Sequence, residues 1–476
     1  MRALVLLLLV LPHGACTPRA VITFFTSELN DAAVPPGNTT LVKQYGRRMV
    51  LHLGREMTAA DEGWLRAALG GDGVVQSVEP DALVGFSGSG DVIPVLGAAA
   101  VSEPVPETTA VTEFVLNTAN DSDKFLLKML SNQSLAPAMP LPWNLNESEP
   151  YGLHLAVFRW RPRVNVTTVA VLDSGLAAAG VGAWRPVGGY DFISSPDYAN
   201  DQTGRDADFT DPGDDGPGCE EPSWHGTRVA SVIRQVDPGS RLLIVRVLGQ
   251  CGTGFANDVT DAIVWAAGGA INGLETNTLP AEVIAMSFSG EGACPSFLQS
   301  AVSQAAALGA VLVAAAGNQA QDAAGFFPGN CPGVVSVGAS TRRALVAPYS
   351  NFGPAVRLYA PGGDATDPIY TQTALGGRLV GSSSVGTSFA APHVAGLLSL
   401  VLAAGGDLGG FLTNQTAPPC QGPEDAQSPN CRVDSLAASM NWTVRMQTYT
   451  CAPGSYSALD NTQSPPTRAA PSPSAP

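Results

Sequence analysis

The sequence predicts an α/β fold, in which a central, mostly parallel β-sheet carries helices on both faces and follows a small α+β unit. The first observation is that short apolar runs alternate with helical patterns from Val164 onward, as where crossover helices join parallel strands. The second is that 45% of the 476 residues are hydrophobic, which suffices for a large core and a smaller one. The third is a shorter strand and helix pattern within 48–84.

The strands of the main sheet are predicted from short apolar runs. They lie at 169–172, 242–248, 283–286, 311–315 and 334–337. The helices that accompany them are predicted at 225–234, 257–267, 296–308 and 388–402. In folds of this kind the ligand crevice lies at the carboxyl ends of the strands, so we expect the functional side chains there.

The smaller unit is predicted at about 47–84, within an N-terminal segment that spans 17–84. Strand-like runs at 49–53 and 74–78 enclose a helical stretch that opens at Thr58. This pattern predicts a small α+β unit.

Two further segments lack the periodicity of a folded element. Residues 85–118 are rich in Gly, Ala, Pro and Val, and are predicted to be a linker to a main domain at 119–445. Residues 446–476 are rich in Ser, Pro, Ala and Thr, which cannot build a core, and are predicted to be disordered.

The N-terminus has the layout of a secretory signal peptide, which we place at 1–16. Arg2 precedes an apolar run that is too short to span a bilayer, and small residues follow. A cut after Ala15 and a cut after Cys16 remain alternatives, and the residues before Cys16 do not favour a lipid anchor. We therefore expect a secreted, extracellular protein without a transmembrane segment. Asn-x-Ser/Thr triplets would then be glycosylation acceptors, at Asn38, Asn120, Asn132, Asn146, Asn165, Asn414 and Asn441.

Charge and cysteine content narrow the class of partner. The formal net charge is −16, which argues against nucleic acid and against a stable association with an anionic membrane. Export favours disulfides among the eight cysteines. Proximity in the sequence suggests the pairs Cys219 with Cys251, Cys294 with Cys331, and Cys420 with Cys431, and leaves Cys451 over.

Three polar residues stand where chemistry is expected. Asp173 directly follows the strand at 169–172, although Asp-Ser-Gly is also ordinary turn chemistry. His225 begins a predicted helix, where a structural histidine is an equal alternative. Ser388 lies in GTSFAAPHVAG at 386–396, at a helix N-terminus whose free N–H groups and dipole suit the oxyanion of acyl transfer.

The strings around these residues resemble the subtilisin-like serine peptidases, whose catalytic residues follow the chain order Asp, His, Ser. The resemblance covers about 120–440 and includes Ala315-Ala316-Gly317-Asn318, which matches the family string that supplies an oxyanion-hole Asn. It implies that Ser388 attacks the scissile carbonyl, His225 transfers the proton and Asp173 holds the imidazole. Asn318 and the Ser388 N–H would stabilise the oxyanion.

The resemblance also implies a cleft that binds polypeptide substrates as extended backbone. One edge is expected at Gly252, Thr253, Gly254 and Phe255, and the other at Ser287, Phe288, Ser289 and Gly290. Small residues would leave room for the side chain before the cut, namely Ala315, Ala316 and Gly317. Broad specificity with a preference for large apolar residues follows, although Ser289 replaces a usual Gly and would narrow the pocket.

The small unit resembles the inhibitory prodomain of this family, most closely at Val78-Glu79-Pro80-Asp81. A self-processing zymogen with its own prodomain as inhibitor is therefore expected, with the cut between Val84 and Asn120. An accessory binding domain is the alternative. The enzyme itself is expected to be a monomer.

An acidic segment at 197–215 raises the question of a metal. Its carboxylates suit Ca²⁺, and Asp201, Asp206 and Asp208 are the candidate ligands. A solvated acidic loop is an equal alternative. The expected chemistry itself requires no cofactor.

Two other classes of protein compete with a peptidase. A catalytically inactive binding protein would keep the fold, but the intact Asp173, His225, Ser388 and Asn318 speak against it. A lipase-type hydrolase would need a Gly-x-Ser-x-Gly elbow with the catalytic histidine last in the chain, but the string GTSFA at 386–390 lacks the final Gly, and His225 precedes Ser388.

Overall fold

A computed structural model of the chain describes residues 19–24, 40–45, 48–52, 75–80, 83–85, 143–145, 163–213, 224–343, 345–406 and 408. Several sequence-based predictions lie outside these residues. They are the signal peptide, the helix that begins at Thr58, the linker beyond Gly85, Cys219, Cys420, Cys431, Cys451 and the tail at 446–476.

The described strands are, in chain order, β1 (Arg19–Phe24), β2 (Thr40–Tyr45), β3 (Arg48–His52), β4 (Val75–Pro80), β5 (Leu83–Gly85), β6 (Thr168–Asp173), β7 (Gly188–Asp191), β8 (Arg241–Arg246), β9 (Thr253–Phe255), β10 (Val283–Met286), β11 (Gly290–Glu291), β12 (Val311–Ala315), β13 (Phe326–Phe327), β14 (Val334–Ser340), β15 (Leu358–Pro361), β16 (Ile369–Leu375) and β17 (Arg378–Ser384). The described α-helices are α1 (Ala178–Trp184), α2 (Pro196–Ala199), α3 (His225–Val236), α4 (Ala256–Ala266), α5 (Ser296–Ala307) and α6 (Thr387–Ala403).

The main sheet has seven strands in the order β15-β14-β12-β10-β6-β8-β7, and every neighbouring pair is parallel. This confirms the predicted fold class. The five predicted strands form the interior of the sheet, whereas the two edge strands were not predicted. The sequence of β7 is Gly-Gly-Tyr-Asp and that of β15 ends in Pro361, so neither has the apolar β-branched composition of a central strand.

Helices cover both faces of this sheet. Alternate side chains of each strand point to opposite faces, and apolar residues on both faces pack against helices. Val169 and Val171 belong to a buried cluster that contains residues of α3 and α6. Ala170 and Leu172 belong to a second cluster, with residues of α4 and α5. The apolar side chains of β6 therefore form part of two cores at once.

The N-terminal strands form a separate antiparallel sheet in the order β2-β3-β1-β4. The strands predicted at 49–53 and 74–78 are β3 and β4. The sheet also contains β1 and β2, so its strand pairing reaches residue 19, upstream of the predicted unit at about 47–84 but within the predicted N-terminal segment 17–84. The β1 sequence Arg-Ala-Val-Ile-Thr-Phe has β-branched residues typical of a strand.

None of the helices in the described part of the chain combines the length and the apolar composition that a bilayer span requires.

Candidate active site

Three buried polar side chains converge at the carboxyl edge of the main sheet. Asp173 is the last residue of β6, His225 is the first residue of α3, and Ser388 is the second residue of α6. Each is at most 2% exposed. The structure thus brings together residues that are far apart in the sequence.

Asp173 and His225 are joined by a hydrogen bond. The distance between His225 Nδ1 and Asp173 Oδ1 is 2.8 Å, and the Ser174 N–H donates to the same oxygen at 2.8 Å. A carboxylate can only accept, so Nδ1 carries the hydrogen, and in the neutral ring Nε2 keeps its lone pair. This is the tautomer that a general base requires.

The backbone before α3 positions His225 by a close approach to the loop after β6. Trp224 adopts a left-handed conformation with φ of 47°, and Gly226 lies against the backbone of Gly175. A Cβ on Gly226 would lie 2.2 Å from the Gly175 carbonyl oxygen, so only glycine fits there. The Gly226 N–H also donates to Ser174 Oγ at 3.0 Å. The segment Trp224-His225-Gly226 therefore has a packing role in addition to supplying the imidazole of His225.

Ser388 lies in the first turn of α6, directly before Phe389. The ring of Phe389 packs against the ring of His225, with centroids 5.6 Å apart. The helix begins after Gly386, whose φ is 147°, and this conformation favours glycine. The nucleophile candidate is therefore next to the residue that contacts the base candidate.

Asn318 is held by the residue that precedes Ser388. Its Oδ1 accepts hydrogen bonds from the Thr387 N–H at 2.9 Å and from the Thr387 hydroxyl at 2.7 Å. Because the oxygen is engaged, the NH₂ group is the part of the half-buried side chain that can serve another acceptor. The predicted oxyanion donor thus lies beside the predicted nucleophile.

The loop that carries Asn318 is built around Asn351, which sequence reasoning missed. Asn351 Nδ2 donates to the Ala316 carbonyl at 2.9 Å, and its Oδ1 accepts from the Gln319 and Gln321 N–H groups at 3.0 Å. Asn351 is fully buried, and it lies 30 to 35 residues along the chain from the loop residues that it holds. No sequence pattern links it to that loop.

A segment of the N-terminal unit lies on the predicted substrate edge. Strand β5 pairs antiparallel with β9, with Leu83 opposite Phe255, Val84 opposite Gly254 and Gly85 opposite Thr253. The Val84 side chain is only 2% exposed. Strand β5 also lies close to β11, which begins at Gly290. An extended chain therefore lies near both edges predicted to flank a substrate.

The other predicted pocket residues lie at the ends of the neighbouring strands. Ser287, Phe288 and Ser289 follow β10 and are at most 9% exposed. Ala315 ends β12, and Ala316 and Gly317 continue from it toward Asn318. All six lie at the same carboxyl edge as Asp173.

Each of the three predicted calcium ligands has a partner within the protein in the described structure, and the calcium site stays a prediction. Asp201 pairs with Arg246 at 2.6 Å, whereas Asp206 and Asp208 each bond the backbone N–H two residues on, at 2.8 and 2.9 Å. No group of three or more metal-ligating side chains is present in the parts of the chain that the structure describes.

Arg246 was missed by sequence reasoning, although a cation that ends an apolar strand is a signal of a buried ion pair.

Arg246 is the cation at the centre of the acidic segment. It is 1% exposed and also contacts Asp191 at 2.5 Å and the Ala199 carbonyl. Burial raises the pKa of Asp191 to about 7, and the Arg246 charge acts in the opposite direction. A guanidinium therefore supplies positive charge to a loop for which calcium was predicted.

The structure contains the predicted disulfide between Cys294 and Cys331, with an S–S distance of 1.97 Å. Cys251 is disulfide-bonded as well, and its predicted partner Cys219 lies outside the described residues. Asn165 is the one predicted glycosylation acceptor within the described residues, and it is exposed.

Comparison with known proteins gives consistent matches over the main domain. A model of the subtilase family matches residues 165–417. The chain is 37% identical over 289 residues to an extracellular protease of Xanthomonas campestris pv. campestris, covering 56% of this chain and 50% of that protein. It is 39% identical over 267 residues to an extracellular basic protease of Dichelobacter nodosus, covering 52% and 44%. The chain therefore spans about half the length of the curated relatives it matches.

Among solved structures, a protease from Pseudoalteromonas arctica PAMC 21717 is similar, with a TM-score of 0.51 and 37% sequence identity. The match covers 54% of this chain and 84% of that structure.

Proposed function

Because this chain belongs to the subtilase family, we propose that it is a secreted serine endopeptidase whose catalytic residues are Asp173, His225 and Ser388. The observation that carries the proposal is the 2.8 Å hydrogen bond between Asp173 and His225, beside the helix turn that bears Ser388. The two curated relatives described above are named as extracellular proteases, which supports both the proposed peptidase activity and the proposed secretion of this chain.

The proposed reaction is acyl transfer to Ser388. The Ser388 Oγ attacks the carbonyl carbon of the peptide bond, and its proton passes to His225 Nε2. The C–N bond then breaks and the imidazolium returns that proton to the leaving amine. Water then attacks the acyl carbon while His225 takes its proton; the bond between that carbon and Ser388 Oγ breaks, the imidazolium returns the proton to Oγ, and the carboxyl product leaves. Asp173 holds the imidazole in position and stabilises the imidazolium.

Asn318 and the Ser388 N–H are proposed to stabilise the oxyanion of both tetrahedral intermediates. The bonds from Thr387 hold the Asn318 amide before the substrate arrives. Such preorganised donors need no rearrangement at the moment of reaction, which is why one donor contributes about 10²–10³-fold in rate.

Substrates are proposed to bind as extended polypeptide between β9 and the segment at Ser287–Gly290. The position of β5 supports this mode, because it pairs with β9 as an antiparallel strand. The pocket before the cut would take large apolar side chains at Ala315 to Gly317. Ser289 would narrow it, and a product profile dominated by Lys or Arg would contradict this specificity.

The N-terminal unit is proposed to be the inhibitor of the zymogen. Two contacts support this role. Strand β5 covers the substrate edge, and the Glu79 carboxylate accepts hydrogen bonds from Ser296 at the start of α5, with the N–H at 2.7 Å. A carboxylate at a helix N-terminus is favoured by the helix dipole. Cleavage after Gly85, within the predicted interval 84–120, would release this unit.

The deciding experiment is to express the full chain beside a Ser388→Ala variant, and to follow precursor processing and digestion of casein. We expect the wild type to lose its N-terminal unit and to digest casein, and the variant to do neither. If both fold and behave alike, the family fold serves binding only.

Labelling with a serine-directed phosphonate distinguishes the proposed peptidase from a lipase-type hydrolase. It should label the wild type covalently, and a peptide inhibitor should block that label. A lipid ester that blocks it instead would favour the lipase-type hydrolase.

A further inference from the structure

A short turn far upstream of the main sheet is built into the core of the main domain. Residues Trp143–Leu145 form a 3₁₀ turn, and all three are buried. The Trp143 indole N–H lies 3.2 Å from the carbonyl oxygens of Asp367 and Pro368, before β16. The turn is thus anchored on the domain although more than twenty residues separate it from β6.

The middle residue of this turn contacts the helix that carries the nucleophile candidate. Asn144 is 1% exposed, and its Nδ2 lies 2.7 Å from Nε2 of His393, which is fully buried in α6. The other ring nitrogen, Nδ1, lies 2.6 Å from the Phe389 carbonyl oxygen. One imidazole therefore connects the turn to the residue after Ser388.

The direction of both hydrogen bonds follows from the chemistry of the groups. The Phe389 carbonyl can only accept, so Nδ1 must carry a hydrogen. Burial lowers the pKa of His393 to about 4, so the ring is neutral near pH 7 and Nε2 accepts. Asn144 must then donate through its NH₂ group. The Asn144 bond thereby selects the tautomer that can hold Phe389.

The first turn of α6 needs this support because of Pro392. In an α-helix the N–H of residue 392 would donate to the carbonyl of residue 388, but proline has no N–H. The Ser388 carbonyl thus lacks its helical partner at the position where geometry matters most. The His393 side chain adds a donor one residue further on, at Phe389, whose ring packs on His225.

We propose that Asn144 is a positioning residue for the peptidase reaction, which acts through His393 to hold the first turn of α6 and with it Ser388. This rests on the proposed function. Asn144 does not touch the reacting atoms. It follows that the mature enzyme must keep the turn at 143–145 after the N-terminal unit is removed.

The test is a double-mutant cycle in the full chain with Asn144→Leu, His393→Leu and the double variant. The quantities measured are kcat per active site, titrated with a serine-directed phosphonate, KM for a peptide substrate, and Tm. We expect Asn144→Leu to lower kcat about tenfold, less than the roughly 10²-fold cost of a 1 Å misplacement, with KM within about twofold. In the His393→Leu background the same change should have no further effect on kcat.

The matched control is Trp143→Phe, which removes the neighbouring anchor but no contact to His393. It should lower Tm and leave kcat per active site unchanged. A purely structural role for the turn predicts instead that both variants change Tm and neither changes kcat. That result, or additive effects in the cycle, would overturn the proposal.

A second variant covers the case in which Asn144→Leu does not fold. Asn144→Asp has nearly the same shape, but its carboxylate can only accept a hydrogen bond. His393 Nε2 must then carry a hydrogen while Nδ1 still donates to the Phe389 carbonyl, so both bonds exist only while the His393 ring is protonated. Its kcat should fall with rising pH in a step that the wild type lacks, and a profile parallel to the wild type would refute the positioning role. Retained activity in Ser388→Ala would instead refute the proposed function.

Discussion

The side-chain oxygen of Asn318 accepts two hydrogen bonds from Thr387, one from the N–H at 2.9 Å and one from the hydroxyl at 2.7 Å. Thr387 directly precedes Ser388, so the two residues proposed to bind the oxyanion are coupled through a single neighbour. The orientation of the Asn318 amide is therefore set by the same backbone turn that presents Ser388.

This coupling predicts that Thr387→Val lowers kcat although Thr387 contacts no reacting atom. Valine keeps the shape and the backbone N–H but removes the hydroxyl, so Asn318 keeps one of its two bonds. We expect about a tenfold loss in kcat with KM nearly unchanged. Asn318→Ala, which removes the donor itself, should lose on the order of 10²–10³-fold and still fold.

Thr387→Ser is the control for this prediction, because it retains the hydroxyl and should keep most of the wild-type kcat. Steady-state kinetics on one peptide substrate compare all three variants. Wild-type turnover in Asn318→Ala would end the oxyanion assignment.

The position of β5 predicts a change in activation. Val84 is buried opposite Gly254 of β9, so Val84→Asp would place a carboxylate where it is poorly solvated, which weakens the bound segment. We expect casein digestion to begin sooner after the precursor is cut, because the released N-terminal unit dissociates faster. Val84→Ile is the matched apolar control. An unchanged delay in both variants would show that β5 does not limit access to the cleft.

The interior of the fold was predictable because central strands are apolar on both faces. The strands at 283–286 and 311–315 were predicted with their observed bounds, and α3, α4, α5 and α6 to within two residues at each end. The edge strands β7 and β15 contain Gly and Pro and are half-exposed or short, so composition did not reveal them.

The site was predictable only where its residues lie in continuous strings. Asp173, His225 and Ser388 each stand in such a string, whereas the contact of Asn144 with His393 joins residues 249 positions apart. Asn351 likewise supports a loop with which it shares no sequence pattern. Contacts of this kind depend on packing between remote segments, which periodicity and spacing do not encode.

Phe389 gives a prediction about oxidation. It is fully buried directly after Ser388 and packs on His225, and it has no thioether that peroxide could oxidise. Phe389→Met should therefore convert an enzyme that loses activity slowly in peroxide into one that loses it faster. Residual activity over time and mass spectrometry of the 386–396 peptide measure this. Equal rates of loss in both proteins, with oxidation at other residues, would show that this position does not govern peroxide sensitivity.

The fully buried His393 predicts that the protein loses stability in mild acid. Burial lowers its pKa to about 4, below the ordinary value of 6.5, so the unfolded chain binds more protons than the folded one between these values. The contribution of neutral His393 to the free energy of unfolding is therefore fully present above about pH 6.5 and is lost as the pH drops toward 4. The pKa shift corresponds to a contribution on the order of 3 kcal/mol. Urea unfolding at pH 7 and at pH 4.5, in a Ser388→Ala background that prevents self-digestion, measures the loss. A His393→Gln variant, which cannot titrate there, should lose markedly less over the same interval, and an equal loss in both proteins would place the acid sensitivity elsewhere.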